Sequence, residues 1–249
     1  IRRFKGLDAA PATVNGGSLP TADKADWEKV SPAFTDVVGD TDLRSFGSFT
    51  YEFLYTNGTA RNDLDTAKVS QDADHLYFHI PTATPLITVD DELWMNLYID
   101  ANQENQGWES FDFVLNKTAP TADKATLERF TGNGYETEKI GEVEYTVSGK
   151  YMQVKVPKTM LNLSGYDFTV NFAWTDNVHD EADAGERGDA DYKYTQFSGD
   201  IMDFYISGDV APSGRFKFSY VSTNENATGE TTETQPSETE PVTDPESEP

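Results

Sequence analysis

Oxygen-bearing side chains alternate along one predicted loop, in the segment IDANQENQGW. Asp100, Asn102 and Glu104 stand at positions i, i+2 and i+4 after an apolar run, and Gly107 follows them. Alternate positions in a turning loop can direct several oxygens to one point, which is what Ca²⁺ requires. The helical flanks and the distal glutamate of an EF-hand are not part of this pattern. The segment therefore predicts a structural Ca²⁺ site, with an ordinary polar hairpin loop as the alternative.

A second acidic segment spans residues 174–194 and holds seven acidic side chains. It could fold around a cation, or it could form a loop over a binding face. No spacing within it is typical of a metal site, which favours a solvated loop.

The residue types give little support to catalysis. Cysteine is absent, which excludes thiol chemistry, disulfides and cysteine-ligated zinc. Two carboxylates could hydrolyse a glycosidic bond, but with 44 Asp and Glu residues such pairs arise by chance. His75 and His79 lie in one alternating run and His179 in a loop, with no strained serine turn nearby. We therefore expect a protein that is not an enzyme.

Aromatic residues with polar neighbours could instead bind a sugar. The C–H face of a pyranose packs on an aromatic ring, while its hydroxyls need fixed polar groups. The candidate aromatic platforms are Trp94, Tyr98, Trp174 and Tyr205, and the candidate polar partners are Arg61, Asn62 and Asp176. A place in the hydrophobic core is the alternative for each aromatic residue.

The elements that must position these residues are short strands. Ten runs alternate between apolar and polar residues and are bounded by Gly, Asn, Asp or Pro, as strands are. They cover residues 48–55, 66–72, 75–80, 93–100, 111–116, 142–147, 151–157, 168–174, 200–207 and 215–221. Ser148-Gly149-Lys150 predicts a hairpin turn between two of them. The pattern predicts an all-β fold, a two-sheet antiparallel β-sandwich.

Strand parity assigns side chains to the two faces of this sandwich. In the run LWMNLYID it places Met95, Leu97 and Ile99 on the core face. It places Trp94 and Tyr98 on the opposite face, which would be half-exposed or would face a ligand. His75 and His79 share one parity, which predicts a common solvent-facing side.

Composition divides the chain into three parts. Residues 1–24 are rich in Ala, Pro, Gly and Ser and predict a lead-in from an upstream domain. Residues 25–222 carry the alternating runs and form the predicted sandwich domain. Residues 223–249 predict a disordered acidic Thr/Glu/Pro linker, since from Asn224 onward there are eight acidic residues and neither a basic nor an aromatic one.

The net charge restricts the kinds of molecule that the chain can bind. The formal charge of −25 disfavours binding to nucleic acid or to anionic lipid, because both need clustered Lys and Arg. No apolar run is long enough to span a bilayer, so we expect no direct membrane insertion. An acidic surface suits neutral glycans and hard cations, although it also serves solubility alone.

The order of several segments resembles the family 9 carbohydrate-binding modules. The segments are DADHLYFHI, ELWMNLYIDANQENQGWESFDFVLN, YMQVKVPKTML, FTVNFAWTDN and SGDVAPSGRF. The sequence is similar above all to the family-9-like domains appended to bacterial glycoside hydrolases and surface proteins. The resemblance runs from about Trp27 to Tyr220, and LYID, WTDN and GDVAPSGRF are its most specific motifs.

This resemblance implies a jelly-roll-like β-sandwich that binds sugars without cleaving them and often holds structural Ca²⁺. It also implies a sugar held between two tryptophans. Here Asp90 stands in the position of the first tryptophan, and the second falls near Phe204-Tyr205. The predicted function is a non-catalytic carbohydrate-binding module of an extracellular or surface-attached bacterial protein. It would direct an upstream catalytic domain of the same chain to polysaccharide or oligosaccharide. A structural spacer or adhesion sandwich with a degenerate sugar site is the alternative.

The motif SGDVAPSGRFKF bends the chain before its last predicted strand. Gly208 and Gly214 permit tight turns, and Pro212 stiffens the bend. We expect Asp209 and Arg215 to pair across the bend and to fasten the last strand to the sheet.

Overall fold

The computed structural model describes residues 27–49, 53–101, 107–132, 134–183 and 194–222. The predicted lead-in (1–24) and acidic tail (223–249) lie outside these residues. Thirteen strands form in the described chain. They are β1 (Ala33–Phe34), β2 (Arg44–Gly47), β3 (Leu54–Asn57), β4 (Ala67–Gln71), β5 (His75–Pro81), β6 (Asn96–Asp100), β7 (Phe113–Leu115), β8 (Lys124–Phe130), β9 (Thr137–Ser148), β10 (Tyr151–Pro157), β11 (Phe168–Asp176), β12 (Asp209–Ala211) and β13 (Phe218–Ser222).

One large antiparallel sheet contains eleven of these strands. Its order is β1-β4-β5-β10-β9-β8-β7-β6-β11-β12, and β13 pairs with β11 beside β12. Strands β2 and β3 form a separate hairpin. Short helical turns cover Lys158–Leu161, Glu181–Asp183 and Asp203–Ile206. The predicted all-β class is confirmed.

The large sheet curls so that its two ends face each other across one core. Phe78 of β5 and Phe172 of β11 are distant in the strand order, yet their ring centroids lie 5.5 Å apart. Phe34 of β1 also meets Phe172, edge to face, at 5.1 Å. Contacts between strands so far apart in the sheet require two facing layers, which is the β-sandwich that the alternation predicts.

Local patterning predicts the central strands well. Strands β5 and β10 occupy residues 75–81 and 151–157, and the turn at Ser148-Gly149-Lys150 joins β9 to β10 as expected. Met95, Leu97 and Ile99 are fully buried in the main core, in agreement with their parity.

The segment DIMDFYIS was predicted as a strand, and this was wrong. The carboxylate of Asp200 accepts a hydrogen bond from the Met202 amide, and residues Asp203–Ile206 form one turn of α-helix. The turn buries Phe204 and Ile206 and exposes Tyr205. Over so few residues, an i, i+2 apolar pattern fits a single helical turn as well as it fits a strand.

Candidate functional site

Arg61 and Asp176, two predicted sugar ligands, meet in a buried ion pair. Arg61 Nε donates to Asp176 Oδ2 at 2.8 Å, and its Nη1 donates to Asp91 Oδ2 at 3.0 Å. The other oxygen of Asp176 accepts the amide of Met95 at 3.0 Å. Burial raises the pKa of Asp176, whereas the Arg61 guanidinium and the Met95 amide oppose that rise. The arrangement satisfies both side chains within the protein and leaves no open face for a sugar hydroxyl.

Asn62 lies next to this pair and is also occupied. Asn62 Nδ2 donates a hydrogen bond to the backbone carbonyl of Ile87 at 2.9 Å. Asn62 Oδ1 accepts a hydrogen bond from the backbone N–H of Ile87 at 2.7 Å. This reciprocal pair fixes the segment that precedes β6. Arg61, Asn62 and Asp176 therefore lie together, but their contacts hold the chain around the start of β6 and the end of β11.

Three predicted aromatic platforms, Trp94 just before β6, Tyr98 in β6 and Trp174 in β11, are covered by protein. Trp94 and Trp174 are 0% exposed and belong to the main core, and Tyr98 is 1% exposed in a second aromatic cluster around Trp108. Strand parity predicted an outward-facing Trp94, but parity does not apply to this residue, because β6 begins only at Asn96 and Met95 has a positive φ of 47°. None of the three rings offers a free face to a sugar.

Tyr205 is the one predicted platform that reaches the surface. Its side chain is 42% exposed. One part of its ring lies against Gly214, where an added Cβ would stand 2.3 Å from Tyr205 Cε1. Tyr205 therefore stays a candidate for stacking, but no other predicted platform lies exposed beside it.

Asp100 is the described member of the predicted Ca²⁺ site, since Asn102 and Glu104 lie outside the described residues. Its Oδ2 accepts the side-chain amide of Asn171 at 3.0 Å and the ammonium of Lys217 at 3.3 Å. An ammonium at this distance already neutralises the carboxylate and disfavours a second cation beside it. The Ca²⁺ site at Asp100, Asn102 and Glu104 stays a prediction.

The predicted pair of Asp209 and Arg215 does not form among the described residues. Asp209 is buried, and its two oxygens accept the amides of Leu64 at 2.6 Å and Val210 at 2.8 Å. Arg215 is exposed. Arg44, rather than Arg215, contacts the bend: its Nη2 donates a hydrogen bond to the carbonyl of Gly208 at 2.7 Å. The bend is fastened by backbone contacts and by an arginine of β2.

A concave site that the sequence did not predict lies on the outer face of β5 and β10. We call it the outer pocket; its volume is about 270 Å³, and Trp27, His79 and Tyr151 supply its aromatic wall. His79 stacks on Trp27 with centroids 4.5 Å apart and on Tyr151 at 5.4 Å. Trp27 is fixed by its Nε1, which donates to Gln153 Oε1 at 2.8 Å. The three rings form one rigid column beside the pocket.

Charged side chains of both signs complete the outer pocket. Glu28, Asp65, Lys68 and Lys150 line it, two acidic and two basic. Lys68 Nζ donates to the carbonyl of Trp27 at 2.6 Å, so it is held in place. The pocket is thus locally balanced in charge within a chain whose net charge is −25.

His79 is neutral in this setting. Burial, with a smaller contribution from Lys68, lowers the pKa of His79 to about 3. Neither ring nitrogen has a hydrogen-bond partner within the described chain. The prediction that His79 faces solvent was therefore wrong, because Trp27 packs over it. Parity does place His79 and Tyr151 on the outer face, but no local pattern shows that Trp27, some fifty residues earlier, covers that face.

Comparison with known proteins gives a limited result. No protein-family model matches the sequence, and no curated protein matches it. Two solved structures of a carbohydrate binding module family 9 (CBM9) from Caldicellulosiruptor kristjanssonii are similar to this chain, one in complex with glucose and one with cellotriose. They share 10% and 11% identity with it and have TM-scores of 0.38 and 0.37. The matches cover 72% and 73% of this chain, and 78% and 79% of those chains.

The family of these structures is the one that the sequence motifs resemble. Within the described part of the chain, no helix has the length and apolarity needed to cross a membrane.

Proposed function

We propose that this chain is a non-catalytic carbohydrate-binding module that holds a neutral sugar in the outer pocket. The observation that carries the proposal is the rigid column of Trp27, His79 and Tyr151 beside balanced polar groups. Binding sites for small molecules typically combine apolar surface with a few fixed polar groups, and their volumes start near 300 Å³. A pocket of about 270 Å³ suits one sugar unit or the end of a chain.

The charges favour a neutral ligand. Two carboxylates can accept hydrogen bonds from sugar hydroxyls, and two ammonium groups can donate to them. A pocket with equal numbers of acidic and basic groups gives no net attraction to an anion or a cation. The surrounding chain of charge −25 repels anionic ligands further.

Tyr151 is the ring on which a sugar would stack. Its side chain is half-buried, whereas Trp27 and His79 are almost fully buried and serve to hold it. Stacking on one ring with a few hydrogen bonds gives weak affinity, which suits a module that acts by concentrating an attached protein on polysaccharide. An extracellular setting and an upstream catalytic domain belong to this proposal and follow from the motif resemblance.

A structural spacer is the second candidate. It is favoured by the burial of Trp94, Tyr98 and Trp174, which removes the aromatic platforms that the sequence suggested. In that case the sandwich would connect other parts of a protein and would bind no sugar.

The test is a binding panel on the full 249-residue chain. Affinity electrophoresis against soluble xylan, mannan and β-glucans, with calorimetric titration of glucose and cellotriose, should detect at least one ligand. Tyr151→Ala should weaken that binding at least tenfold, because it removes the stacking face. Tyr205→Ala is the matched control, since it deletes an exposed tyrosine outside the outer pocket, and it should bind as the wild type does.

Each result separates the candidates. Loss of binding in Tyr205→Ala with full binding in Tyr151→Ala would move the sugar site to the surface near the Asp203–Ile206 helix. Absence of any bound glycan would overturn the proposal and leave the spacer.

A further inference from the structure

Lys217 and Asp100 form an ion pair that is largely shielded from solvent. Lys217 Nζ lies 3.3 Å from Asp100 Oδ2, and the two side chains are 19% and 6% exposed. Nζ also lies 3.9 Å from the centre of the Phe111 ring, which covers it on one side. In the other lysine–carboxylate pairs of the described residues, the carboxylate side chain is 51–60% exposed. The pair at Asp100 differs from them because its carboxylate is buried.

The two residues belong to segments that are not neighbours in the sheet. Asp100 ends β6, and Lys217 directly precedes β13. Both strands pair with β11, where Asn171 is the register partner of Asp100 on one side and of Ser219 on the other. A covalent link between Lys217 and Asp100 would therefore tie the last strand to β6 across β11.

The groups around the pair are those that amide formation needs. An amine becomes a nucleophile when it loses its proton, and burial lowers the pKa of Lys217, although Asp100 and Asp112 oppose this shift. Asn171 Nδ2 donates to Asp100 Oδ2 at 3.0 Å, so a donor already faces the oxygen on which negative charge would develop. Asp112 adds a second carboxylate, which is 7% exposed and accepts the amide of Ala101 at 2.8 Å.

We propose that Lys217 and Asp100 condense into an intramolecular isopeptide bond, with Asp112 as the proton carrier. A proton first passes from the Lys217 ammonium to Oδ1 of Asp100, which leaves a neutral amine beside a neutral acid. The Nζ lone pair then attacks Cγ, and Asn171 stabilises the oxyanion at Oδ2. Asp112 takes one proton from Nζ and delivers it to the Oδ1 hydroxyl. The Cγ–Oδ1 bond breaks, one water leaves, and a neutral amide remains.

The condensation would remove two opposite charges from a buried site, and with them the cost of keeping the charges away from water. It would also use the carboxylate that the sequence predicts as a Ca²⁺ ligand. The amide and a Ca²⁺ ion bound to Asp100 therefore exclude each other. The bond does not depend on the outer pocket, so its test is separate from the test of sugar binding.

The mass of the intact chain tests the proposal directly. Electrospray of the full 249-residue chain, unfolded in acid, should give a mass about 18 Da below that of the sequence, which is one water. Proteolysis should release one branched peptide that joins the segments around Lys217 and Asp100. A succinimide at another aspartate also loses one water, but it hydrolyses at mildly alkaline pH and joins no two peptides.

Two lysine variants locate the bond. Lys217→Arg keeps the positive charge but removes the reactive amine, so it should have the full sequence mass. It should also melt roughly 10 °C lower, because the link closes a long loop of the unfolded chain. Lys124→Arg is the matched control: Lys124 Nζ also lies 3.3 Å from a carboxylate oxygen, that of Glu144, but these side chains are 38% and 60% exposed. This variant should lack one water as the wild type does.

A third variant tests the proton carrier. Asp112→Asn retains an oxygen that can accept the Ala101 amide, but it cannot carry a proton. The loss of water, followed by mass after refolding, should be slower by roughly a hundredfold. Loss of water at the wild-type rate would overturn the role of Asp112.

The wild type alone can refute the bond. A wild-type chain with the full sequence mass would do so, and so would a missing water that persists in Lys217→Arg. Should Lys217→Arg fail to fold, the mass of the wild type and the presence or absence of its branched peptide still decide the question.

Discussion

Replacement of Arg61 by methionine tests whether the Arg61–Asp176 pair is scaffold or ligand site. The side chains of Arg61 and Asp176 are 5% and 0% exposed, and that of Asp91 is 11% exposed. Methionine fills much of the space of the arginine stem but removes the guanidinium. Asp176 then keeps its hydrogen bonds with the Met95 amide and the Asn62 side chain, but it becomes a buried carboxylate without a counter-charge.

Removal of one partner from a buried ion pair costs about 3–5 kcal/mol. Here the cost comes mainly from Asp176, because Asp91 lies near the surface and can be hydrated. We expect the free energy of unfolding to fall by about this amount. Adding Asp176→Asn to the same chain should recover part of the loss, since the amide carries no charge.

Urea unfolding followed by tryptophan fluorescence measures this effect. The midpoint should fall while the slope of the free energy with urea stays constant. Arg129→Met is the matched control, because Arg129 pairs with Glu138 on the surface, where the two side chains are 49% and 51% exposed. An exposed pair of this kind contributes about 0–1 kcal/mol. A loss below about 1 kcal/mol for Arg61→Met, together with weaker sugar binding, would refute the scaffold interpretation and favour a ligand role.

Two further predictions concern His79 and the bend at Gly208. The folded pKa of His79 is about 3 and its ordinary value is about 6.5, so the unfolded chain binds more protons between these values and stability falls as the pH drops through this window. His79→Phe keeps the stacked ring but removes the titrating group. Between pH 7.5 and pH 5, the wild type should therefore lose about 2 kcal/mol more unfolding free energy than the variant. Parallel pH profiles of the two unfolding free energies, measured in urea, would contradict this. Gly208→Ala should destabilise the chain far more than Gly149→Ala. Both glycines have a positive φ, so both substitutions carry the same kind of backbone strain. At Gly208 the added Cβ would also stand 2.5 Å from the backbone of Asp176 and Asn177, whereas at Gly149 nothing lies within 4 Å of it. Thermal melting of both variants checks this, and equal losses would mean that backbone conformation alone sets the cost.

The sequence by itself determined the fold class and the core strands. Alternation with period two is a local property, so it is visible wherever a strand has one buried face. It predicted β5, β10 and the hairpin at residues 148–150, and it placed Leu97 and Ile99 in the core. It also indicated that Arg61 and Asp176 belong to one polar group, although not that they neutralise each other.

Only the tertiary structure decided which faces are covered. Parity gives two sides of a strand, but it does not say whether another segment packs on the outer side. Trp27 covers His79, and the aromatic cluster around Trp108 covers Tyr98. These contacts join residues that are far apart or irregularly spaced in the chain, so no local pattern predicts them.

The same reason explains the outer pocket, which the sequence did not predict. The outer pocket needs Trp27 beside β5 and β10. Burial of the Trp27 ring against His79 lowers the free energy of the fold, and the pocket beside these rings forms as a consequence.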